Sequence, residues 1–182
     1  MFDPETFING CRKAGERKDE QKIIRTLMQD AIEHPQSIVA HLGRPIEGGI
    51  ETLYHGPDLT ILNIIWAPQM SVPPHNHLMW AVIGIYQGAA DNIYWRKVGD
   101  KLEASGAEAL RAGDVRVLGK DIVHSVMKPT DTYTGALHVY GGDFFNIVRS
   151  DWEPQSLTKR EFDIDRTRRN FEAANARWQN SV

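Results

Sequence analysis

Cysteine is nearly absent from this chain of 182 residues, since Cys11 is the only one. A single cysteine excludes an internal disulfide and any metal site built from several thiolates, so a bound metal would need His, Asp or Glu ligands. Long hydrophobic runs are absent too, and no stretch of about 18 apolar residues is available to cross a bilayer. The first residues, MFDPETFING, are acidic and lack the basic and apolar segments of a secretory signal. We therefore expect a cytoplasmic protein without a membrane partner.

An excess of charge of either sign is also missing. The 21 Lys and Arg residues nearly balance the 24 Asp and Glu residues, which gives a formal net charge of −3. The one basic cluster, RTRR at 166–169, lies beside Asp163, Asp165 and Glu172, and such mixed charge is typical of a solvated helix face. The chain thus has no electrostatic surface for nucleic acid or an anionic membrane. Protein partners are not identifiable from the sequence.

The apolar content, 41% of the residues, is sufficient for one core, and we expect residues 1–182 to form a single domain. Residues 50–152 contain eight short runs of strand character at spacings near ten residues, the last of them FFNIVRSDW. This spacing leaves no room for crossover helices between parallel strands, so it predicts an all-β barrel or sandwich.

Helices are predicted at both ends of the chain. Residues 1–45 have apolar residues at helical spacing in two stretches, which predicts two helices, the first capped by Asp3 and the second ending or bending at His34. Residues 153–182 form a C-terminal extension in which DRTRRNFEAANARW predicts a helix capped by Asp165. The predicted fold is therefore mainly β, with N-terminal helices and a C-terminal helix packed outside a barrel.

Four of the seven histidines lie on predicted strands, namely His75, His77, His124 and His138. His75 and His77 are two residues apart, so in a strand both side chains project to one side and their imidazoles can share one ion. Hydrogen-bonded histidines without a metal fit an isolated pair equally well. The pair alone therefore leaves both interpretations open.

The residues around the pair have the spacing of a known family. HNHLMWAVIGIYQG at 75–88 resembles the first motif of the cupin superfamily, which has HxH, three or four residues, Glu, six residues and Gly. GDVRVLGKDIVH at 113–124 resembles the second cupin motif, in the right order and within the predicted β region. The resemblance implies a cupin fold, the double-stranded β-helix or jelly-roll barrel. It also implies three metal ligands, which are His75, His77 and His124.

The chain departs from the cupin pattern at Ala81, where most cupins have a glutamate ligand, and at Gly119, where the second motif has proline. Three neutral imidazoles without a carboxylate leave a divalent metal with its full charge and with open positions. Such a site favours anionic substrates and dioxygen over a saturated structural role. Zinc in the same site would activate water.

A later strand carries His138 and Tyr140. Together with a cupin site of three histidines, this pair is similar to the late Ser-x-His-x-Tyr segment of the thiol dioxygenase, or cysteine dioxygenase, family, with Ala136 at the serine position. HNHLMWAVIG looks closest to the bacterial enzymes that act on 3-mercaptopropionate. The resemblance implies Tyr140 and His138 as catalytic residues and Arg149 as the anchor for a substrate carboxylate.

The same resemblance implies an iron(II) enzyme that oxidises a small thiol, 3-mercaptopropionate or a cysteine-like molecule, to its sulfinate with O2. Zinc or nickel in place of iron stays open. A buried, hydrogen-bonded tyrosine and a salt-bridged surface arginine are the structural alternatives for Tyr140 and Arg149. Two other functions remain as alternatives: another metal-dependent cupin that acts on a small organic acid or dicarbonyl, and a non-catalytic cupin that binds a ligand.

Overall fold

A computed structural model of the chain describes residues 1–99 and 101–181. Its elements in chain order are α1 (Pro4–Gly15), α2 (Glu20–Ile32), α3 (Pro35–Leu42), β1 (Gly49–His55), β2 (Thr60–Trp66), β3 (Ser71–Asn76), β4 (Ala81–Gln87), β5 (Ala89–Val98), β6 (Lys101–Arg111), β7 (Val115–Leu118), β8 (Val123–Met127), β9 (Thr134–Tyr140), β10 (Ser150–Trp152), β11 (Lys159–Glu161) and α4 (Ile164–Gln179). None of the described helices is both long enough and apolar enough to span a membrane.

The strands form two antiparallel sheets, one with the order β1-β2-β9-β4-β7 and the other with the order β11-β10-β3-β8-β5-β6. From β2 to β5, and again from β7 to β10, consecutive strands alternate between the two sheets. This alternation winds the chain into a double-stranded β-helix, so the predicted fold class is confirmed. The inner faces of the sheets enclose a buried core that includes Leu62, Ile83, Val126 and Tyr140.

The N-terminal helices cover the outer face of the first sheet. The buried side chains of Ile24, Met28 and Ile32 belong to a second core with Val82 of β4. A Cβ atom at Gly84 would lie 2.6 Å from the Met28 sulfur, so the missing side chain at Gly84 lets α2 approach the sheet closely. Burying this apolar face supplies most of the stability of helices that are short by themselves.

Two details of the N-terminal prediction differ from the structure. The carboxylate of Asp3 accepts a hydrogen bond from the Thr6 amide and caps α1 as expected. The expectation of only two helices was wrong, because Pro35 begins a third helix instead of only ending the second. Proline fits the first position of a helix, where its missing N–H has no partner to lose.

The C-terminal helix α4 packs against the barrel as predicted, with the Phe171 ring stacked 5.4 Å from that of Trp66. Its cap is Asp163, whose carboxylate accepts from the amides of residues 165 and 166, so the assignment of Asp165 as the cap was wrong. The preceding segment adds an unpredicted edge strand, β11, to the second sheet. The predicted strand FFNIVRSDW is a strand only from Ser150 onward, since residues 144–146 form a turn, residue 147 is a bend and residues 148–149 are irregular.

Candidate metal centre

Three imidazoles meet inside the barrel. β3 pairs with β8 so that His75 lies directly opposite His124, and His77 follows one residue after the end of β3. The Nε2 atom of His77 lies 3.2 Å from that of His75 and 3.4 Å from that of His124. One possible ligand atom from each ring lies within 4.8 Å of the other two. The three histidines predicted from the sequence can therefore hold one metal ion.

A bulge in β3 gives His75 its inward direction. Val72 pairs with Val126 and His75 pairs with His124, so three residues of β3 oppose two of β8. In a regular strand, residues three apart point to opposite faces, whereas here Val72 lies in the barrel core and His75 lines the barrel interior. The extra residue falls at Pro73 and Pro74, which have no N–H to donate to a ladder and are tolerated at a bulge.

The hydrogen bonds around the rings show that the donor set fits a cation. The Nδ1 atom of His75 lies 3.0 Å from the Pro73 carbonyl oxygen, and that of His124 lies 2.9 Å from Asn92 Oδ1. Both oxygens only accept, so each Nδ1 carries the ring proton and each Nε2 has a free lone pair. A proton on Nε2 of His77 can serve only one of these two lone pairs, whereas a shared metal ion satisfies all three atoms.

Burial keeps the rings in the form that a metal needs. Desolvation is the largest cause that lowers the pKa of His75, to about 4, and repulsion from the Arg149 guanidinium adds to it. Desolvation also places the pKa values of His77 and His124 well below the usual 6.5, and mutual repulsion among the charged forms of the rings lowers them further. The three imidazoles are therefore neutral at pH 7, with their lone pairs available to a metal.

Ala81, at the glutamate position of the cupin motif, is the cross-strand neighbour of Tyr140. β4 pairs with β9 so that Ala81 lies directly opposite Tyr140, and both are buried in the barrel core. The Tyr140 ring lies 5.0 Å from the His77 ring in an edge-to-face arrangement. The tyrosine ring thus lies beside one of the three histidines, and Ala81 opposite it provides no carboxylate.

His138 and Tyr140 are joined by a hydrogen bond, with 3.0 Å between His138 Nδ1 and the Tyr140 hydroxyl oxygen. Burial lowers the pKa of His138 to about 3 and raises that of Tyr140, so the imidazole is neutral and the phenol is protonated. Nε2 of His138 is buried and has no hydrogen-bond partner in the described part of the chain. Both residues line a cavity of about 30 Å³, the metal cavity, together with His75, His77 and His124.

Arg149 lies beside this cluster, immediately before β10. Its residue is only 3% exposed, and Nη1 donates a 3.0 Å hydrogen bond to the carbonyl oxygen of Asn76. Nε and Nη2 are buried without a partner among the described residues. The guanidinium carbon lies 3.4 Å from the Phe162 ring centroid and 4.4 Å from that of Phe144, and burial lowers the pKa of Arg149 to about 10. Arg149 does not line the metal cavity itself.

Comparison with known proteins gives similar solved structures at low sequence identity. No family model matches the chain. Similar solved structures include an RmlC-like cupin family protein from Methanocaldococcus jannaschii (11% identity, TM-score 0.45, covering 53% of this chain and 81% of that one). A second is a conserved protein with a double-stranded β-helix domain from Klebsiella pneumoniae (13%, 0.44, 65% and 86%). A third is the DMSP lyase DddQ from Ruegeria pomeroyi (16%, 0.48, 60% and 54%).

The strand order and the meeting of both histidine motifs inside the barrel decide the fold. The chain has the cupin fold. Within this cupin fold, the first motif supplies His75 and His77 from β3 and its end, and the second supplies His124 from β8.

Several residues around the site were not predicted from the sequence. Asn92 holds the Nδ1 proton of His124, and Asn76 binds Arg149 through its carbonyl and the Ser150 amide through its side chain. One feature of the sequence could have indicated Asn92. It is a polar residue in a predicted strand, and if its amide is buried it requires a hydrogen-bond partner.

Proposed function

We propose that the protein is an iron(II)-dependent thiol dioxygenase that converts a small thiol carboxylate, such as 3-mercaptopropionate or cysteine, to its sulfinate with O2. The observation that carries the proposal is a cluster of three neutral imidazoles, without a carboxylate in the cluster among the described residues, next to the Tyr140 hydroxyl and the buried Arg149 guanidinium. A donor set of this kind leaves open positions on a metal and adds no negative charge that would repel a thiolate.

The reaction balances without a further reductant. The thiol and O2 give the sulfinate and one proton, with both oxygen atoms on sulfur, which loses the four electrons that O2 gains. Iron(II), when bound to the three imidazoles, would supply the positive charge that lowers the thiol pKa and the redox chemistry that activates O2. The residues of this chain have to orient the thiol and exclude competing reactions.

The His138–Tyr140 pair has the geometry of a hydrogen-bond donor held in place. If the imidazole donates its Nδ1 proton to the phenol oxygen, the Tyr140 O–H is free to donate into the metal cavity. Nε2 of His138 is then a buried acceptor without a partner, which costs less than an orphaned buried N–H. The burial that keeps Tyr140 protonated also keeps it a donor toward a substrate sulfur or oxygen atom. We assign Tyr140 a catalytic role and His138 a positioning role.

The unpartnered atoms of Arg149 match a carboxylate. Nε and Nη2 lie on one edge of the guanidinium, with the spacing that a carboxylate accepts through both oxygens. A buried cation with two unused donors is costly, and a substrate carboxylate would remove that cost. The anion would therefore bind here more strongly than at a solvated surface arginine.

Substrate binding requires a side-chain movement near Phe144. The metal cavity of about 30 Å³ holds about two water molecules, which is too little for a thiol carboxylate. The buried Phe144 ring has its centroid 4.4 Å from that of Tyr140 and equally far from the Arg149 guanidinium carbon. Displacement of this ring would join the metal cavity to the free edge of the guanidinium.

The test is aerobic turnover by protein that has been loaded with iron(II) under anaerobic conditions. Oxygen uptake and sulfinate formation, followed by an oxygen electrode and by NMR, are expected with 3-mercaptopropionate or cysteine. His124→Ala should abolish turnover and iron binding, whereas His34→Ala, a change of an exposed histidine distant in sequence from both motifs, should retain them. Protein with one iron per chain that is idle with 3-mercaptopropionate, cysteine and cysteamine would contradict the proposal.

A second candidate is another metal-dependent cupin enzyme that acts on a small organic acid or dicarbonyl. The observation that favours it is Ala136, a fully buried residue at the serine position of the thiol dioxygenase pattern, together with the unpartnered Nε2 of His138. Zinc or nickel in the purified protein, with turnover of a dicarbonyl and no oxygen uptake, would support this candidate over the first.

A further inference from the structure

A second cavity, of about 240 Å³, lies between β3 and the C-terminal segment, and we call it the C-terminal cavity. β3 contributes Ser71 and Val72 to its wall, α4 contributes Thr167 and Asn170, and the region around β11 contributes Arg160. We propose that the C-terminal cavity is a binding site for a small organic carboxylate with an apolar body, anchored by Arg160. This proposal does not depend on a metal or on the thiol dioxygenase reaction.

The charges in the cavity wall favour an anion. The wall contains Arg160, Arg166 and one carboxylate, that of the buried Asp151. Asp151 accepts from Arg160 Nε through Oδ1 at 2.5 Å and from Arg166 Nη2 through Oδ2 at 2.8 Å, so both of its oxygens are engaged. Arg166 also faces Asp163 at 3.6 Å, whereas Arg160 forms an ion pair with Asp151 alone among the described residues, so Arg160 is the less compensated of the two cations.

Arg160 has the donors for that anion. Its Nε is used by Asp151, whereas its two Nη atoms have no hydrogen-bond partner in the described part of the chain. Arg166 is more fully engaged, because it also donates to the carbonyl oxygen of Glu161 at 2.7 Å and faces Asp163 at 3.6 Å. The Arg160 side chain is 34% exposed and already held by Asp151, so a ligand carboxylate meets a guanidinium whose orientation is set in advance.

The rest of the cavity wall is largely apolar and would contact an apolar part of a ligand. Val72, Pro73, Pro154 and the Phe162 ring contribute apolar surface to the same cavity. A bare inorganic anion would reach Arg160 but leave this surface in contact with water, whereas a carboxylate on a ring or short hydrocarbon chain would cover it. The cavity volume is sufficient for such a molecule and much larger than that of the metal cavity.

The C-terminal cavity shares two side chains with the metal centre. His75 lines both cavities, and Phe162, which lines the C-terminal cavity, also stacks on Arg149. An occupant of the C-terminal cavity would therefore be detected by the NMR signals of His75 even without a bound metal.

The experiment is a titration of metal-free protein with 4-fluorobenzoate, followed by ¹⁹F NMR and by the amide shifts of the protein. We expect saturable binding, shifts that cluster at Val72, His75 and Thr167, and no binding of the neutral analogue 4-fluorobenzamide. Arg160→Gln should weaken binding at least about tenfold through loss of the charge-assisted hydrogen bond. The matched control Arg96→Gln removes an exposed arginine that pairs with Glu103, and it should leave binding unchanged.

A second variant distinguishes a loss of binding from a folding defect in Arg160→Gln. Thr167→Phe fills the cavity and leaves the Arg160–Asp151 pair intact, so it should abolish binding while the melting temperature stays close to that of the parent protein. The proposal is overturned if 4-fluorobenzoate does not bind, or if it binds both variants as tightly as the parent. It is equally overturned if binding is lost in His124→Ala and kept in Arg160→Gln, because the anion would then lie at the metal centre.

Discussion

At the scale of single residues, the candidate metal centre depends on side chains outside the three histidines. The Asn92 side chain holds the Nδ1 proton of His124 and so directs the Nε2 lone pair into the site. Asn92→Leu keeps the side-chain size but leaves that proton without a partner, and we expect the affinity for Zn²⁺ or Co²⁺ to fall about 10- to 100-fold. Competition against a chromogenic chelator measures the affinity of each protein for the ion. The same change at the exposed Asn9 should have no effect, and equal affinities for Asn92→Leu and the parent would contradict this role.

A second prediction at this scale concerns the charge on Arg149. Arg149→Gln should raise the KM for 3-mercaptopropionate about 10- to 100-fold, since a charge-assisted bond to the carboxylate is worth about 1.5–3 kcal/mol. Cysteamine has no carboxylate, so its turnover by the variant should stay near that of the parent. Steady-state oxygen uptake with both thiols gives the comparison. An equal loss with both thiols would show that Arg149 supports the structure and does not bind the carboxylate.

The site residues that the sequence identified belong to motifs with fixed spacing. The resemblance to two cupin motifs indicated His75, His77 and His124, and the structure brings these three histidines together. Asn92 was missed because its partner His124 lies 32 residues away and meets it only through the pairing of β5 with β8. The Asn76 contact with Arg149 spans 73 residues, and no local pattern signals it.

At the scale of secondary-structure elements, the Asn175 side chain is one of the contacts that attach α4 to the rest of the fold. Asn175 is buried, donates to the Gly48 carbonyl oxygen and accepts from the Gly48 amide, both at 2.8 Å. Asn175→Ala leaves two backbone groups without partners and should lower the free energy of unfolding by about 2–4 kcal/mol. Urea denaturation measures the loss. Asn180→Ala at the exposed end of the helix is the control, and a cost below about 0.5 kcal/mol at position 175 would contradict the assignment.

The errors at this scale have local physical causes. Pro35 was read as a helix end, but its ring also suits the first position of a helix, and the two uses have the same sequence signal. Asp163 and Asp165 are both good caps, and the choice between them depends on where the extended chain leaves β11. The three-residue strand β11 has no alternation of apolar and polar residues in its sequence. It forms because its backbone pairs with β10.

At the scale of the whole molecule, the barrel was predictable and its side cavities were not. Short strands at regular spacing, with no room for crossover helices, are sufficient for an all-β fold in any sequence of this kind. The C-terminal cavity arises from the docking of the C-terminal segment on β3, which brings Arg160 and Arg166 to Asp151. This arrangement depends on contacts between elements that are distant in the sequence, so no local pattern predicts it. The cluster RTRR at 166–169 indicated only a solvated helix face.

The barrel interior also sets how the whole molecule responds to acid. Burial is the main cause that lowers the pKa values of four histidines, His75, His77, His124 and His138. Below pH 6.5 the unfolded chain binds protons on these rings. In the folded metal-free protein the pKa is about 4 for His75 and about 3 for His138, and burial holds the pKa values of His77 and His124 well below 6.5. Stability is therefore intact above pH 6.5 and falls as the pH falls toward 4.5.

The size of this effect follows from the number of rings. Each ring contributes up to about 1.4 kcal/mol per pH unit. His75 and His138 together approach about 2.5 kcal/mol per unit near pH 5, and the lowered pKa values of His77 and His124 add to this in the same direction. Urea denaturation of metal-free protein from pH 7.5 to 4.5 measures the slope, in a range mostly above the titration of carboxylates. His138→Leu removes one ring and should reduce the slope by about 1.4 kcal/mol per unit. A stability that is flat between pH 7 and 5, or a slope unchanged in His138→Leu, would show that these rings exchange protons in the folded barrel as freely as in water.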